Sequence, residues 1–397
     1  MRRKLTALAA VAVIAAGPGV ADAATGPAAG TSWTTQHVPL PAGAKNASPG
    51  AVSCASASDC ELVGFYVKSD VGDPLAENWN GHAWSAQAVP NPSGGQWTQL
   101  EGLSCASATR CVAVGTYEKG SGVGVQGMVA EQWDGSTWAA QTSFPLPAGG
   151  QGQFLQGVWC VTASSCTAVG SYYATNRARH PVAEHWNGHA WSLQAVPDPG
   201  KSQNSYLDGI ACTSADSCMA TGYYFTTGAD GTGKPITAQW NGHTWALLRT
   251  PLPADSVGGG ALESVSCASA TNCTAVGSYL DKGSYDLAEH WNGSAWTVQH
   301  TPSPGAGSSP EDGLNSVSCV SASSCTAVGL ASDVSAMNLR PQAEYWNGST
   351  WAVQKTATPQ ADEFLAGVAC NAATACTAVG GTPADHGTHD LPVAEHS

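Results

Sequence analysis

The sequence has few charged residues. Asp, Glu, Lys and Arg make up 11 % of its 397 residues, less than half of the roughly 25 % that is usual in soluble proteins. A disordered chain is rich in charge and poor in aromatics, whereas this chain contains 15 Trp and is 43 % hydrophobic. We therefore expect a folded chain with a large buried surface.

Basic residues are scarcer than acidic ones. The 15 Lys and Arg are outnumbered by 29 Asp and Glu, which gives a formal net charge of −14. Nucleic acids and anionic membrane surfaces are recognised by basic faces. We expect neither as a partner.

No apolar run is long enough to span a membrane, which takes about 20 residues in a helix. The run from Leu5 to about Ala16 follows three basic residues and precedes Ala21-Asp22-Ala23. This order is typical of a secretory signal peptide with its cleavage site. We predict a signal peptide over residues 1–23 and an exported chain over residues 24–397 that is not inserted in a membrane.

Three common catalytic motifs are missing. The sequence contains no H-E-x-x-H, no G-x-S-x-G and no glycine-rich phosphate loop leading into a helix, which are the signatures of zinc proteases, serine hydrolases and nucleotide-binding enzymes. Their absence weakens the case for an enzyme without excluding one.

The cysteines define a repeat. All 14 Cys fall into C-x5-C pairs that begin 51 to 55 residues apart, and a period near 50 is typical of propellers and solenoids. Zinc sites use shorter spacings with further ligands nearby, so we predict one disulfide per repeat. The pairs are Cys54/Cys60, Cys105/Cys111, Cys160/Cys166, Cys212/Cys218, Cys267/Cys273, Cys319/Cys325 and Cys370/Cys376.

Each repeat contains four short strands, A to D, as the fifth repeat illustrates. Strand A ends at Cys267, strand B runs from Cys273 to Tyr279, and strands C and D flank the hairpin Trp291-Asn292-Gly293-Ser294-Ala295-Trp296. Asn-Gly is the commonest two-residue hairpin turn. Four antiparallel strands correspond to one propeller blade.

The last repeat lacks its strand D. The W-[ND]-G-x-x-W hairpin occurs six times, and the seventh repeat stops at Ser397, before its hairpin. Residues 31–38, which contain Trp33, match strand D and have no partner strands of their own. We predict an all-β, seven-bladed propeller in which these residues complete the last blade and close the ring. The expected blades are residues 49–89, 100–144, 155–196, 207–250, 262–301, 314–356, and 365–396 with 31–38.

The repeats resemble kelch and galactose-oxidase-type propellers, and more closely the disulfide-containing propeller repeats of secreted bacterial proteins. The resemblance lies in the V-x-C…C-x-A-V-G…W-N-G-x-x-W pattern and covers nearly all of residues 31–397. It implies the fold. It implies no copper-radical oxidase activity, because that chemistry needs a free cysteine and every cysteine here has a partner.

Candidate ligand residues lie on the face formed by the B–C and D–A connections, which vary in length and sequence. In five repeats a tyrosine lies two residues after the glycine of strand B. It could stack on a sugar, or could only pack between blades. These tyrosines are Tyr66, Tyr117, Tyr172, Tyr224 and Tyr279.

A second set of candidates lies at the start of strand A, the innermost strand. Its carboxylates and amides could bind polar ligand groups or Ca²⁺ at the channel mouth, or could only solvate the strand tips. The seven positions are Gly50, Glu101, Gln156, Asp208, Glu263, Asn315 and Ala366.

The favoured function is a non-enzymatic binding module for extracellular carbohydrate, monomeric and without a cofactor other than Ca²⁺. A glycoside hydrolase or lyase that uses Asp208 with Glu263 or Glu101 is the alternative. A structural or protein-binding propeller is the third reading. The glutamate that recurs on strand C is expected to accept hydrogen bonds from neighbouring strands.

Overall fold

The chain is built from β-strands. The computed structural model describes residues 32–69, 71–119, 126–199, 202–226, 232–304, 312–333, 338–357, 363–384 and 389–397. Within these ranges there are 28 strands and no helix, and so no helix that could cross a membrane. The predicted all-β class is confirmed, while the predicted signal peptide and Thr31 lie outside the described residues.

The strands follow one another in chain order. They are β1 (Thr34–His37), β2 (Asn46–Ser56), β3 (Asp59–Lys68), β4 (Val71–Trp79), β5 (Trp84–Ala86), β6 (Gly95–Ser107), β7 (Arg110–Lys119), β8 (Gln126–Trp133), β9 (Trp138–Gln141), β10 (Gly150–Thr162), β11 (Ser165–Ala174), β12 (Arg179–Trp186), β13 (Trp191–Gln194) and β14 (Ser202–Ser214). They continue as β15 (Ser217–Thr226), β16 (Gly233–Trp240), β17 (Trp245–Leu248), β18 (Gly259–Ser269), β19 (Asn272–Leu280), β20 (Ser284–Trp291), β21 (Trp296–Gln299), β22 (Gly313–Ser321), β23 (Ser324–Asp333), β24 (Asn338–Trp346), β25 (Trp351–Gln354), β26 (Phe364–Ala372), β27 (Ala375–Ala384) and β28 (His389–His396).

Successive strands pair into four-stranded antiparallel units, such as β18 to β21. In that unit Cys267 lies directly opposite Cys273 in the register of β18 and β19, and the two form a disulfide. All seven predicted disulfides are confirmed, with Cα–Cα distances of 3.9–4.0 Å. Each bond therefore joins the first two strands of one unit at the end of their hairpin.

The second cysteine of each disulfide is buried, which the spacing of the pairs did not reveal. It lies on the second strand of its unit, and its sulfur can face the preceding unit, as Cys376 Sγ does at 3.6 Å from Thr326 Oγ1. At 1–3 % exposure these residues cannot contact a ligand, so they stabilise the fold and form no part of a binding surface. The seven are Cys60, Cys111, Cys166, Cys218, Cys273, Cys325 and Cys376.

Both ends of the described chain lie in one sheet. Strand β1 pairs antiparallel with β28, from Thr34 opposite His396 to His37 opposite Val393, and the strand order is β1-β28-β27-β26. Beside β1, the buried Trp33 donates its indole N–H to Gln354 Oε1 of the preceding unit at 3.2 Å. Strand β26 also contacts β2, the first strand of the first unit.

In six of the seven units a tryptophan at the outermost strand reaches the outermost strand of the preceding unit. Its indole N–H donates to a glutamine there, over 2.5–3.2 Å. The bonds are Trp33 to Gln354, Trp84 to Gln36, Trp138 to Gln87, Trp191 to Gln141, Trp245 to Gln194 and Trp351 to Gln299. We call this series the Trp–Gln belt, which the sequence analysis did not foresee.

The belt has one gap. Trp296 is 4 % exposed and its Nε1 has no hydrogen-bond partner. The residue at the corresponding glutamine position is Leu248, which packs against the same hydrophobic cluster as Trp296. A buried N–H without an acceptor costs free energy, so this junction is weaker than its counterparts.

Four of the six strand-C glutamates do not behave as expected, whereas Glu395 accepts the backbone N–H of Ala357 at 3.3 Å and Glu344 accepts the Gln342 amide at 3.0 Å. They are fully buried at 0 % exposure, yet in Glu77, Glu131, Glu184 and Glu289 neither carboxylate oxygen has a hydrogen-bond partner. Burial raises the pKa of each of these four to about 8. The expectation of hydrogen bonds from neighbouring strands is therefore wrong for these four, and they lie in the fold as neutral acids.

Filling the gap in the belt should stabilise the protein. Leu248→Gln supplies the acceptor that Trp296 lacks. We expect the free energy of unfolding to rise by up to about 1 kcal/mol, and the loss of the apolar packing of Leu248 reduces this gain. Thermal unfolding of the exported chain measures it. The converse variant Gln299→Leu removes the acceptor of Trp351 and should lower stability by a similar amount. An increase in stability in Gln299→Leu would contradict the stabilising role of the Trp–Gln belt.

The buried glutamates should make stability fall with rising pH. Their pKa values in the folded protein, about 8, exceed the ordinary 4.5. Above pH 4.5 these glutamates are ionised in the unfolded chain but still protonated in the folded protein. The stability that they contribute below pH 4.5 is therefore lost as the pH rises through about 8. Melting temperatures between pH 4 and pH 9 test this. Glu131→Gln, which stays neutral, should flatten the decline, whereas a melting temperature that rises across this range would refute it.

Candidate functional site

Each innermost strand has a β-bulge four residues before its cysteine, which is the middle of the longest of these strands and not their start. The pairing register skips one residue there, as between Leu207 and Gly209 or between Leu262 and Ser264. A bulge leaves one residue unpaired and redirects its side chain. The seven skipped residues are the strand-A positions predicted from the sequence, Gly50, Glu101, Gln156, Asp208, Glu263, Asn315 and Ala366.

The residue after the bulge lets neighbouring innermost strands approach closely. A Cβ on Gly102 would lie 2.6 Å from the carbonyl oxygen of Gln156, and one on Gly157 would lie 2.6 Å from that of Asp208. In the fifth unit this residue is Ser264, whose hydroxyl accepts the backbone N–H of Val317 at 3.2 Å. Glycine is required where backbones touch, and serine provides a hydrogen bond instead.

The seven bulge residues line one cavity of about 220 Å³. The cavity is bounded by the innermost strands alone, because every lining residue belongs to β2, β6, β10, β14, β18, β22 or β26. The strand-A positions predicted from the sequence are thus brought together. Five of the seven are polar, which gives the cavity its chemistry.

Three carboxylates dominate this cavity. Asp208 has a buried Oδ2 with no hydrogen-bond partner, and its pKa is raised well above the ordinary value, first by burial and then by the negative charges of Glu263 and Glu101. Burial also raises the pKa values of Glu101 and Glu263. Glu101 and Glu263 are therefore close enough to oppose the ionisation of Asp208, and the carboxylate oxygens of the three acids can accept hydrogen bonds.

The remaining bulge positions carry no carboxylate. Asn315 already donates its amide to the carbonyl oxygen of Leu365 at 2.8 Å. Gly50 and Ala366 bring no polar side chain, so the polar part of the wall extends from the second to the sixth unit.

An aromatic cluster lies beside the carboxylates. The rings of Tyr206 and Tyr223 stack at 4.7 Å, and the guanidinium carbon of Arg179 lies 4.2 Å from the ring of Phe154 and 4.4 Å from that of Tyr173. Arg179 also donates to the Tyr173 hydroxyl at 2.6 Å.

The cluster is electrostatically linked to the cavity. Burial, followed by the negative charge of Asp208, raises the pKa of Tyr223 to about 12, and the charge of Asp208 contributes to the raised pKa of Tyr206 after burial. These two tyrosines keep their protons at neutral pH and can donate hydrogen bonds.

The five tyrosines predicted as a ligand ring do not line this cavity. Tyr117 is buried in a core between units, while Tyr66, Tyr224 and Tyr279 pack partly buried against such cores. The ring of Tyr172 lies 5.4 Å from that of His180.

Tyr279 lines a different cavity, of about 480 Å³. There its ring stacks on that of Tyr285 at 5.5 Å. Ligand binding by the five strand-B tyrosines stays a prediction.

Sequence reasoning missed Tyr206, Tyr223 and Arg179. Tyr206 precedes Asp208 by two residues, and this spacing was the only available signal. Tyr223 is the immediate neighbour of the nominated Tyr224, so the two side chains point to opposite faces of the strand. The choice between them depends on contacts with the preceding unit, which the repeat pattern does not encode.

A metal site at the cavity is not supported by geometry. Among the residues that the structure describes, no group of three or more His, Cys, Asp or Glu side chains is arranged to hold a metal ion. The Ca²⁺ expected at the channel mouth stays a prediction.

The comparisons with known proteins show the fold and nothing finer. No protein-family model and no curated protein matches the chain, so membership of the kelch or galactose-oxidase families is not shown. An ulvan lyase, a polysaccharide lyase bound to -[GlcA(1-4)Rha3S]-, is similar with 8 % identity over 89 % of this chain and 94 % of that chain, at a TM-score of 0.56.

YCF48 bound to D1 peptide is similar with 10 % identity over 92 % of this chain and 94 % of that chain, at a TM-score of 0.53. At these identities the likeness concerns the propeller-like all-β architecture only.

Closing the space beside a bulge should disturb the cavity. In Gly157→Ala the new Cβ meets the backbone of Asp208 at 2.6 Å, so the strands must separate, and we expect a loss of about 1–3 kcal/mol in the free energy of unfolding. Denaturant unfolding measures it. Gly381→Ala is the matched control, because its Cβ has no contact under 3.5 Å and stability should not fall. Equal losses in both variants would exclude the proposed close approach.

Proposed function

We propose that the chain is an exported, monomeric propeller whose seven blades form a closed ring. The pairing of β1 with β28, the contact between β26 and β2 and the bond from Trp33 to Gln354 support closure. Seven intrachain disulfides are typical of extracellular proteins and support export.

The proposed activity is binding of an extracellular carbohydrate without turnover. The observation that supports it best is the convergence of the bulge residues on one cavity, with the buried, unpartnered Oδ2 of Asp208 in its wall and the stacked pair of Tyr206 and Tyr223 beside it. Aromatic faces pack against the apolar faces of sugar rings, and carboxylate or amide groups fix the hydroxyls.

The charge of the site favours uncharged or cationic sugars. Glu101, Asp208 and Glu263 line the cavity together, and any acidic sugar would add to the repulsion that already raises the pKa of Asp208. Arg179 lies over the rings of Phe154, Tyr173 and Tyr206 and donates to the Tyr173 hydroxyl, so it is not available as the sole counter-charge for a uronic acid.

A glycan and polysaccharide binding screen of residues 24–397 tests the proposal, with release of reducing ends followed in the same wells. We expect binding without release, and a 10- to 100-fold loss of affinity in Asp208→Asn and Tyr206→Ala, as for a lost hydrogen bond to a charged group or a lost aromatic contact.

Glu131→Gln is the control for this screen, because it removes a buried carboxylate outside the cavity. Tyr172→Ala and Tyr224→Ala test the strand-B tyrosines in the same assay. Binding that survives Asp208→Asn and Tyr206→Ala would place the site elsewhere, and binding of no glycan would favour the structural or protein-binding alternative.

A second candidate is a glycoside hydrolase or lyase. The observation that favours it is the effect of the Glu263 charge on the pKa of Asp208, because two neighbouring acids in different environments can divide the roles of proton donor and base. The same screen distinguishes it: reducing ends would be released by the native protein, and release, but not binding, would be lost in Glu263→Gln.

A further inference from the structure

The innermost strands that surround the channel cavity differ in length before the bulge. Strands β6, β10 and β14 begin six residues before their bulge residues, whereas β22 and β26 begin two residues before theirs. The difference corresponds to about 13 Å of strand. The wall of regular strand is therefore lower at the sixth and seventh units than at the second, third and fourth.

The sixth unit also lacks a side chain near this end of its innermost strand. The position two residues before the bulge residue is Gly313, and a Cβ there would have no neighbour closer than Ser278 Cβ of the fifth unit, at 3.6 Å. In the fourth unit the position is Tyr206, whose ring lies 5.2 Å from the guanidinium carbon of Arg179 in the third unit. A side chain that reaches across the junction of the third and fourth units is thus absent at the junction of the fifth and sixth. The other units have Ser48, Gln99, Phe154, Ala261 and Phe364.

A cavity of about 710 Å³ lies at the junction of the fifth and sixth units. We call it the junction cavity, and its lining includes Ser278, Leu280, Lys282, Gly313 and Asn315. Asn315 also lines the channel cavity of about 220 Å³, so the two cavities adjoin at this residue. Ligand pockets typically measure about 300–1,000 Å³. A ligand too large for the channel cavity alone therefore has room to continue past Asn315.

Hydrogen bonds between the two units fix the junction cavity. Asp312 donates its backbone N–H to the carbonyl oxygen of Ser284 at 3.0 Å, and the Ser284 hydroxyl donates to the carbonyl oxygen of Asp312 at 2.9 Å. The bond from the Asn315 amide to the carbonyl oxygen of Leu365 orients that amide, and its Oδ1 can accept a hydrogen bond from a ligand. A site that is ordered before binding loses less free energy when it binds.

The two cavities have different chemistry. The channel cavity presents carboxylates, whereas the junction cavity presents Lys282, the only basic residue among the described residues that line either cavity, beside the exposed Leu280. Lysine only donates hydrogen bonds and carboxylates accept them. A chain of sugars suits both cavities, because its hydroxyls donate and accept along its whole length and its C–H faces can pack against an apolar side chain.

We propose that the ligand is an oligosaccharide, with one residue in the channel cavity and the next residues passing Asn315 into the junction cavity, where they contact Lys282 and Leu280. This inference rests on the proposed carbohydrate binding and adds the length and the path of the bound chain. The affinity should therefore rise with chain length, and the junction cavity should account for the rise.

Calorimetric titration of residues 24–397 with oligosaccharides of graded length tests the inference. The probes are fragments of one to six residues, prepared by partial acid hydrolysis of the polysaccharide that binds most tightly in the glycan screen. We expect the longest fragments to bind at least about 10-fold more tightly than the monosaccharide. Gly313→Phe fills the junction cavity with the side chain that the third and seventh units carry at this position. It should reduce the affinity for long fragments to that for the monosaccharide, whose own affinity should not change.

Lys282→Ala tests the junction cavity without filling it, so the test does not depend on the folding of Gly313→Phe. We expect it to weaken the binding of long fragments about 3- to 10-fold, as for a lost hydrogen bond, and to leave monosaccharide binding unchanged. Lys234→Ala is the matched control, because it removes an exposed lysine of the fourth unit that lines neither cavity. It should bind every fragment as the native protein does.

The outcomes separate this inference from the proposed function. An affinity that does not depend on fragment length, or an unchanged affinity for long fragments in Lys282→Ala, would overturn the role of the junction cavity and leave carbohydrate binding intact. If no polysaccharide and no fragment binds, the proposed function fails and this inference fails with it. Asp208→Asn should weaken short and long fragments by the same factor, because both place a residue in the channel cavity.

Discussion

The close approach of neighbouring innermost strands is the constraint on which the site depends. At each junction the strand bulges by one residue and places glycine, alanine or serine next, because a larger side chain would meet the backbone of the next unit. The bulge then directs its extra side chain into the space between the innermost strands. The geometry that holds the units together is therefore the same geometry that directs Glu101, Asp208 and Glu263 into the cavity.

Features that recur in the repeats and features that differ between them have different physical explanations. A contact that recurs around the repeats, such as the disulfide in all seven units or the Trp–Gln bond in six, is explained by the need to build and join units. The chemistry of the cavity comes from what differs, because carboxylates occur in the second, fourth and fifth units while the first and seventh present Gly50 and Ala366. A ligand would therefore lie off-centre, toward the acidic side and toward Tyr206 and Tyr223.

The sequence predicted those features that depend on spacing along the chain. The C-x5-C pairs identified the disulfides, because two cysteines six residues apart across a tight hairpin lie opposite each other, and the missing last hairpin identified Trp33 as part of the final sheet. The cavity positions were also found from spacing. The signal was their fixed distance before the first cysteine of each repeat. The β-bulge that directs their side chains was not predicted.

Features that depend on contacts between units could not be predicted in this way. Arg179 and Tyr206 meet across a unit boundary, and a strand reveals only which residues share a face, not which residues of the next unit face them. The same limit explains why Tyr224 was chosen over Tyr223. Gln342 and Asp286 are visible as exceptions in the alignment of the repeats, but only the structure brings the two together.

The buried acids show how the fold tolerates such exceptions. The fourth unit has Ala238 where six others have a glutamate, and its strands β15, β16 and β17 pair in the usual register. Strand pairing therefore does not require the carboxylate, and a neutral glutamate fills the same place without a hydrogen bond. Glu344 differs because the Gln342 amide donates one hydrogen bond to it and another to Asp286. The buried polar exceptions are therefore accommodated by a matched hydrogen-bond donor, where the other units rely on apolar packing.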